Sequence, residues 1–332
     1  MDQLMPQRYA AKAPVVAGVG FGVAAGVVFG ALGVGPVLAG DDTAEIREQH
    51  RRTVQDMHTL ESQVSTADDV VGSLSEEIVD QTLTQRPVLV LTTATASDFD
   101  VKAVVKSLDA AGRVDAGTIK LNKPLFEQDR QSDVQAVLQK SVPDKLRLPG
   151  KDKPAGQAAG TALAQAFFLD AQSTQPLMTD KQRAELLQAL REKDFITYED
   201  GSILPAQAVV IVDGKSSGVG FTEFSAPAMA QFAATLHSTG KNVVLAARIE
   251  SAGAEGTIGR LREEHPEVST VDSIDRGWAR MAVPLAVREQ LDGGAGAYGA
   301  AASASSGLPP RPEPATVPEV SYYAPYAGYG AY

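Results

Sequence analysis

The chain has 332 residues, 44% of them hydrophobic and 21% charged, which is the composition of a globular protein with room for one large domain or two ordinary ones. Its 30 Lys and Arg stand against 41 Asp and Glu, a formal charge of −11, so it lacks the basic surface a general nucleic-acid binder needs, and nucleic acid is not expected as a partner. There is no cysteine, which excludes disulfides, thiolate metal sites and cysteine nucleophiles; four His leave few soft or imidazole ligands for a metal cage.

Residues 1–12 carry Arg8 and Lys12 and read as a cytoplasmic N-terminus. No charge interrupts Ala13 to Gly40, and Asp41 and Asp42 follow. A helix over Ala13–Val34 would be roughly 33 Å long, enough for the bilayer core. The flanking charges place the N-terminus inside and the rest of the chain outside, in the cell envelope. A cleaved signal peptide is the competing reading, since Val37-Leu38-Ala39 has small-residue spacing, but such apolar cores are usually shorter. Gly18, Gly22, Gly26 and Gly30 repeat every four residues on one helix face, so the expected anchor carries a helix–helix interface.

Residues 42–85 contain no proline and a heptad pattern. Ile46, Leu60 and Leu74 fall at a positions, with Thr53 and Ala67. Met57, Val64, Val71 and Ile78 fall at d positions, with His50. This predicts a coiled-coil stalk and a homo-oligomer; an amphipathic helix folded back on its own domain is the alternative. His50, Met57 and His58 lie close together on it. Imidazole and thioether ligate copper, which makes them candidate metal residues, although packing or solvation also accounts for them.

Arg86-Pro87 should close the stalk. From there to residue 292 strands and helices alternate. Strands are expected at 88–93, 118–121, 196–198, 208–212, 243–247 and 268–271, with another at Met281-Ala282-Val283. Helices are expected after Asp98 as cap, at 132–140, 155–169, 180–193, 225–237 and 257–264, with a short one at 287–291. That alternation predicts an α/β, Rossmann-like domain with a mostly parallel sheet over 86–292. A ligand would bind beyond the carboxyl ends of its strands, near Thr92-Thr93, Asp213-Gly214-Lys215 and Arg248. Asp213 to Gly218 has part of a phosphate-loop pattern, but Val209 stands where its first glycine is required, so a glycine-rich turn is the better account. No dinucleotide fingerprint, nucleophile elbow or zinc-protease motif occurs, and no enzyme activity is expected. Asp272 and Asp275 read as acidic groups on solvated faces or in loop contacts, and Trp278 as a packing residue. From Gly293 the composition turns to Ala, Gly, Ser, Pro and Tyr, so residues 293–332 are expected to be a disordered tail.

Several strings carry a family resemblance: Ala189-Leu190-Arg191-Glu192-Lys193-Asp194-Phe195-Ile196-Thr197-Tyr198, Val268-Ser269-Thr270-Val271-Asp272-Ser273-Ile274-Asp275, Leu291-Asp292-Gly293-Gly294 and Tyr298-Gly299. With the N-terminal span and stalk, they resemble the actinobacterial copper transporter family of mycobacterial copper transport protein B, over residues 13 to 299. The resemblance implies an envelope protein of copper efflux or copper homeostasis, with copper as the metal handled. It also implies a second reading through corynebacterial relatives associated with cell separation. In that reading the chain is a scaffold like SteB, acting with a SteA-like membrane partner and cell-wall hydrolases.

Overall fold

The computed structural model describes residues 43–143, 148–150, 155–170, 175–214 and 225–310. The expected membrane segment with Gly18, Gly22, Gly26 and Gly30, and the chain from 311 onward, lie outside the described residues. Among the described residues no helix is long and apolar enough to cross a membrane. The chain divides into two units, 1–62 and 63–332.

The first helix, α1, runs from Thr43 to Val79 without a break. Glu48 meets Arg51 at 2.6 Å and Arg52 at 3.2 Å, the three- and four-residue spacings that support an exposed helix by a few tenths of a kcal/mol each. The helix stops at Val79, short of the expected end at Gln85, because Val79 and Leu83 are fully buried in the domain core and Gln81 adopts a left-handed φ of 59°. Asp68 accepts a hydrogen bond from the backbone N–H of Trp278 at 3.0 Å. The part of α1 beyond residue 62 therefore packs on the α/β domain, which corrects the expected boundary at 85–86 and matches, for that part, a helix folded onto its own domain.

A seven-stranded sheet organises the rest. Its strands are β1 (Pro87–Thr93), β2 (Val114–Leu121), β3 (Ile196–Tyr198), β4 (Ala208–Val212), β5 (Val243–Ala246), β6 (Ser269–Val271) and β7 (Ala297–Tyr298), in the order β3-β2-β1-β4-β5-β6-β7. Every pairing is parallel except β2 with β3. Val90 sits beside Val210, and Val210 beside Val244. Alternate side chains point to opposite faces, and both faces are dry, which is why these strands read as continuous apolar runs.

One face carries Leu89, Leu91, Val209, Ile211 and Leu245. It is covered by α3 (Gln131–Ser141), α4 (Ala155–Phe167), α5 (Asp180–Glu192), α6 (Ser225–Gly240) and α7 (Thr257–Glu264). The other face, with Val88, Val90, Val210 and Val244, is covered by the end of α1, by α2 (Asp98–Ala110) and by α9 (Ala282–Leu291), which follows the short α8 (Gly277–Arg280). On the first face α4 and α6 nearly touch at the backbone. A Cβ on Gly156 would lie 2.6 Å from the Ala228 carbonyl oxygen, and one on Gly160 2.7 Å from that of Phe232. Thr179 caps α5 in a reciprocal box: its Oγ1 accepts from the Gln182 N–H and its own N–H donates to the Gln182 side chain.

Three local expectations change. Ser97, not Asp98, caps α2, its hydroxyl accepting from the Asp100 N–H at 3.1 Å. Met281-Ala282-Val283 is not a strand but the start of α9, where Pro284 sits in the first turn and no N–H is needed. Three apolar residues are too few to tell the two periods apart. The domain also does not end at 292. β7 pairs with β6, Tyr298 is buried, and its hydroxyl donates to Glu289 at 2.5 Å, so the domain reaches residue 310.

Candidate functional site

Beginning at β1, the chain adds strands on one side of it, then from β4 onward on the other. The carboxyl ends of β1 and β4 therefore diverge, and such a reversal leaves a crevice that no crossing connection fills. Thr93 ends β1 and Asp213 directly follows β4, so both point at it. The crevice is lined by Thr93, Thr95, Lys123, Phe126, Asp213 and Met229, among others, and holds a cavity of about 40 Å³, enough for one or more waters.

Asp213 is 6% exposed. Its Oδ1 accepts from the Thr93 hydroxyl at 2.8 Å, the Thr95 hydroxyl at 3.3 Å and the Gly214 N–H at 2.9 Å. The hydroxyl of Thr257, at the start of α7, also donates to it. Burial pushes the Asp213 carboxyl above its ordinary range, and these donors pull it partly back. No cationic side chain among the described residues is paired with it; Lys123, on the same wall, meets Glu127 at 3.4 Å. A side chain at Gly214 would collide with the Thr95 carbonyl, 1.8 Å from its Cβ. Glycine therefore lets the two loops close on each other.

Arg248, the third strand-end residue expected at the site, turns away from it. Its guanidinium clamps Asp100 at 2.7 and 3.3 Å and ties the first turn of α2 to the chain after β5. The bond to Asp100 is the main reason its pKa is raised. Lys215 to Ser217 lie outside the described residues. Of the two readings for Asp272, a solvated face or a loop contact, the second holds: it is fully buried. It meets Arg262 at 2.9 Å, accepts from Ser273 at 2.6 Å, and accepts the N–H groups of Ala300 and Ala301 at 2.8 and 3.2 Å. Arg262 also donates to the Tyr298 carbonyl at 2.8 Å and to Ser303 at 2.9 Å. This cluster clasps residues 298–303 to the domain. Trp278 is half-buried against the second face, as a packing residue should be.

His50, Met57 and His58 all lie exposed on α1, with His58 3.9 Å from Glu61. Among the described residues no group of three or more His, Cys, Asp or Glu is placed to hold a metal ion. Of the expected seam, Met57, Leu60, Val64, Val71, Leu74 and Ile78 are 54, 42, 52, 36, 52 and 39% exposed in the single chain; the Ile46 side chain lies outside the described residues. The sequence points to Thr93 and Asp213 as strand ends but not to Thr95 and Thr257. The only signal for those two is a hydroxyl just past an apolar strand or at the start of a helix.

The family described as "Copper transport outer membrane protein, MctB" matches residues 9–309. The chain is 31% identical over 304 residues to "Copper transporter MctB" of Mycobacterium tuberculosis (strain ATCC 25618 / H37Rv), covering 86% of this chain and 96% of that protein. The protein of the same name from Mycobacterium bovis gives the same figures. That from Mycobacterium leprae is 29% identical over 251 residues, 71% of this chain and 77% of its own. A match that begins before the charge-free segment and ends with the clasp around Asp272 covers every element described above: the chain belongs to the MctB family.

Proposed function

We propose that the protein acts in copper transport or copper homeostasis at the cell envelope. The observation that carries this is membership of a family named for copper transport, over nearly the whole chain. In this account residues 13–40 hold the chain in the membrane as a single span with the N-terminus inside, and the α/β domain lies outside. The exposed apolar row on α1 meets the α1 of a second copy, so the working form is a homo-oligomer. Copper is cargo rather than a resident cofactor. His50, Met57 and His58 are the candidate residues for meeting it, by the affinity of imidazole and thioether for copper. The domain acts as a non-catalytic binding module. The comparisons lend no support to the cell-separation reading.

The test is genetic and chemical together. Deleting the gene should lower the copper concentration that arrests growth and raise cell copper, and the full-length chain should restore both. Restoration by His50→Ala/Met57→Ala/His58→Ala as complete as by the wild type would remove those residues from the account. Unchanged copper tolerance and copper content in the deletion strain would contradict the account as a whole.

A further inference from the structure

A buried carboxylate that stays charged has to be hydrogen-bonded and is commonly met by a cation or a metal, because a lone charge in a dry site costs several kcal/mol. Asp213 is such a carboxylate, and its partners among the described residues are three hydroxyls and one backbone N–H, all uncharged. It also lines a cavity at the strand reversal, the position where open α/β sheets take their ligands. We propose that this crevice binds a small organic cation, a primary ammonium on a short apolar body, with its charge against Asp213.

The surroundings fit that class better than the alternatives. While donating toward Asp213, the hydroxyls of Thr93 and Thr95 keep lone pairs that can accept, and an ammonium brings three N–H donors for such acceptors. Leu121, Phe126, Ala226 and Met229 supply an apolar wall for a carbon skeleton. An anion would face the like charge of Asp213, which counts against the phosphate that the Asp213-Gly214-Lys215 string superficially suggests. A neutral ligand would leave the carboxylate without a counter-charge among the described residues. A bare divalent ion asks for six or more oxygen ligands, usually several of them carboxylates, and one aspartate among hydroxyls falls short. The inference stands apart from the copper reading and does not need it.

The experiment titrates purified full-length protein with ethylammonium chloride and follows thermal unfolding. Potassium chloride at equal ionic strength and ethanol serve as controls. Two variants accompany it: Asp213→Asn, which removes the charge at constant shape, and Ala226→Leu, which fills the cavity and leaves the carboxylate in place. The expected result is a saturable rise in Tm of about 2 °C or more above the salt control, no such rise with ethanol, and at least tenfold weaker binding in both variants. No excess over potassium chloride, an equal response to ethanol, or undiminished binding in Ala226→Leu would each overturn the proposal. The Ala226→Leu arm decides the matter even where Asp213→Asn does not fold.

Discussion

Two buried aspartates stand just beyond the carboxyl ends of strands in the same sheet, and they do opposite work. Asp272, after β6, meets Arg262 at 2.9 Å and two backbone N–H groups from residues 300 and 301. Asp213, after β4, meets among the described residues only hydroxyls and one N–H, and a cavity opens beside it. The difference follows from what each position has to hold. Beyond β6 the chain returns as β7, and the paired charge fastens that last segment down. Beyond β4 the strand order reverses, so nothing closes over the carboxylate from within the sheet. A paired buried charge is a clasp; one that no described cation meets, at a crevice, is an invitation to a cation.

The comparison is broken most forcefully at the clasp. Asp272→Ala leaves Arg262 buried without a counter-charge and releases residues 298–303, and should cost about 3–5 kcal/mol in denaturant unfolding. A loss under about 1 kcal/mol would mean that Arg262 finds another partner and the clasp account is wrong. Next in size is Gly160→Leu, which drives a side chain into the Phe232 carbonyl and should cost about 1–3 kcal/mol by prising α4 from α6. It tests whether the face beneath the crevice is as tightly packed as the clasp side.

His237 on α6 gives a pH-dependent contrast. Its Nδ1 is buried with no partner among the described residues. Burial, helped by Lys241, holds its pKa below the ordinary 6.5, while Glu267 pulls it up. The unfolded chain therefore binds the proton first, and stability falls as pH drops below about 6.5. His237→Gln should flatten that part of the profile of Tm against pH; an unchanged slope would show that another group is responsible. The smallest effect belongs to Asp213→Asn. Because burial raises the folded-state pKa of Asp213 above 3.8, the native chain holds, only between 3.8 and that folded value, a proton that the unfolded one has released. Stability from this group is thus lost as pH rises from 3.8 through the folded value. The asparagine variant should be within about 0.5 kcal/mol of wild type at neutral pH, or more stable, and should lack that decline. An acid-side profile identical to wild type would count against it.

Much of this fold was legible in the sequence because the strands are buried on both faces. Runs such as Ala208–Val212 and Val243–Ala246 need no alternation to be recognised. What escaped was long-range. Thr93 and Asp213 are 120 positions apart and meet only through the parallel pairing of β1 with β4. Asp272 could be read as a solvated face or a loop contact, because nothing near it in sequence announces Arg262 as its partner. Tyr298 looked like the start of a tail because Ala297 and its glycine neighbours carry too little apolar area to predict a strand. The glycines of α4 repeat at the same spacing as Gly18 to Gly30, yet only the structure gives Gly156 and Gly160 their neighbour.

The most direct measurement is thermal unfolding of wild type, Asp213→Asn and Asp272→Asn side by side, each with and without ethylammonium. The account predicts that Asp272→Asn is strongly destabilised but still gains Tm from the amine, while Asp213→Asn keeps its stability and gains nothing. The reverse pattern, or the same response in both variants, would contradict the division of labour between the two aspartates.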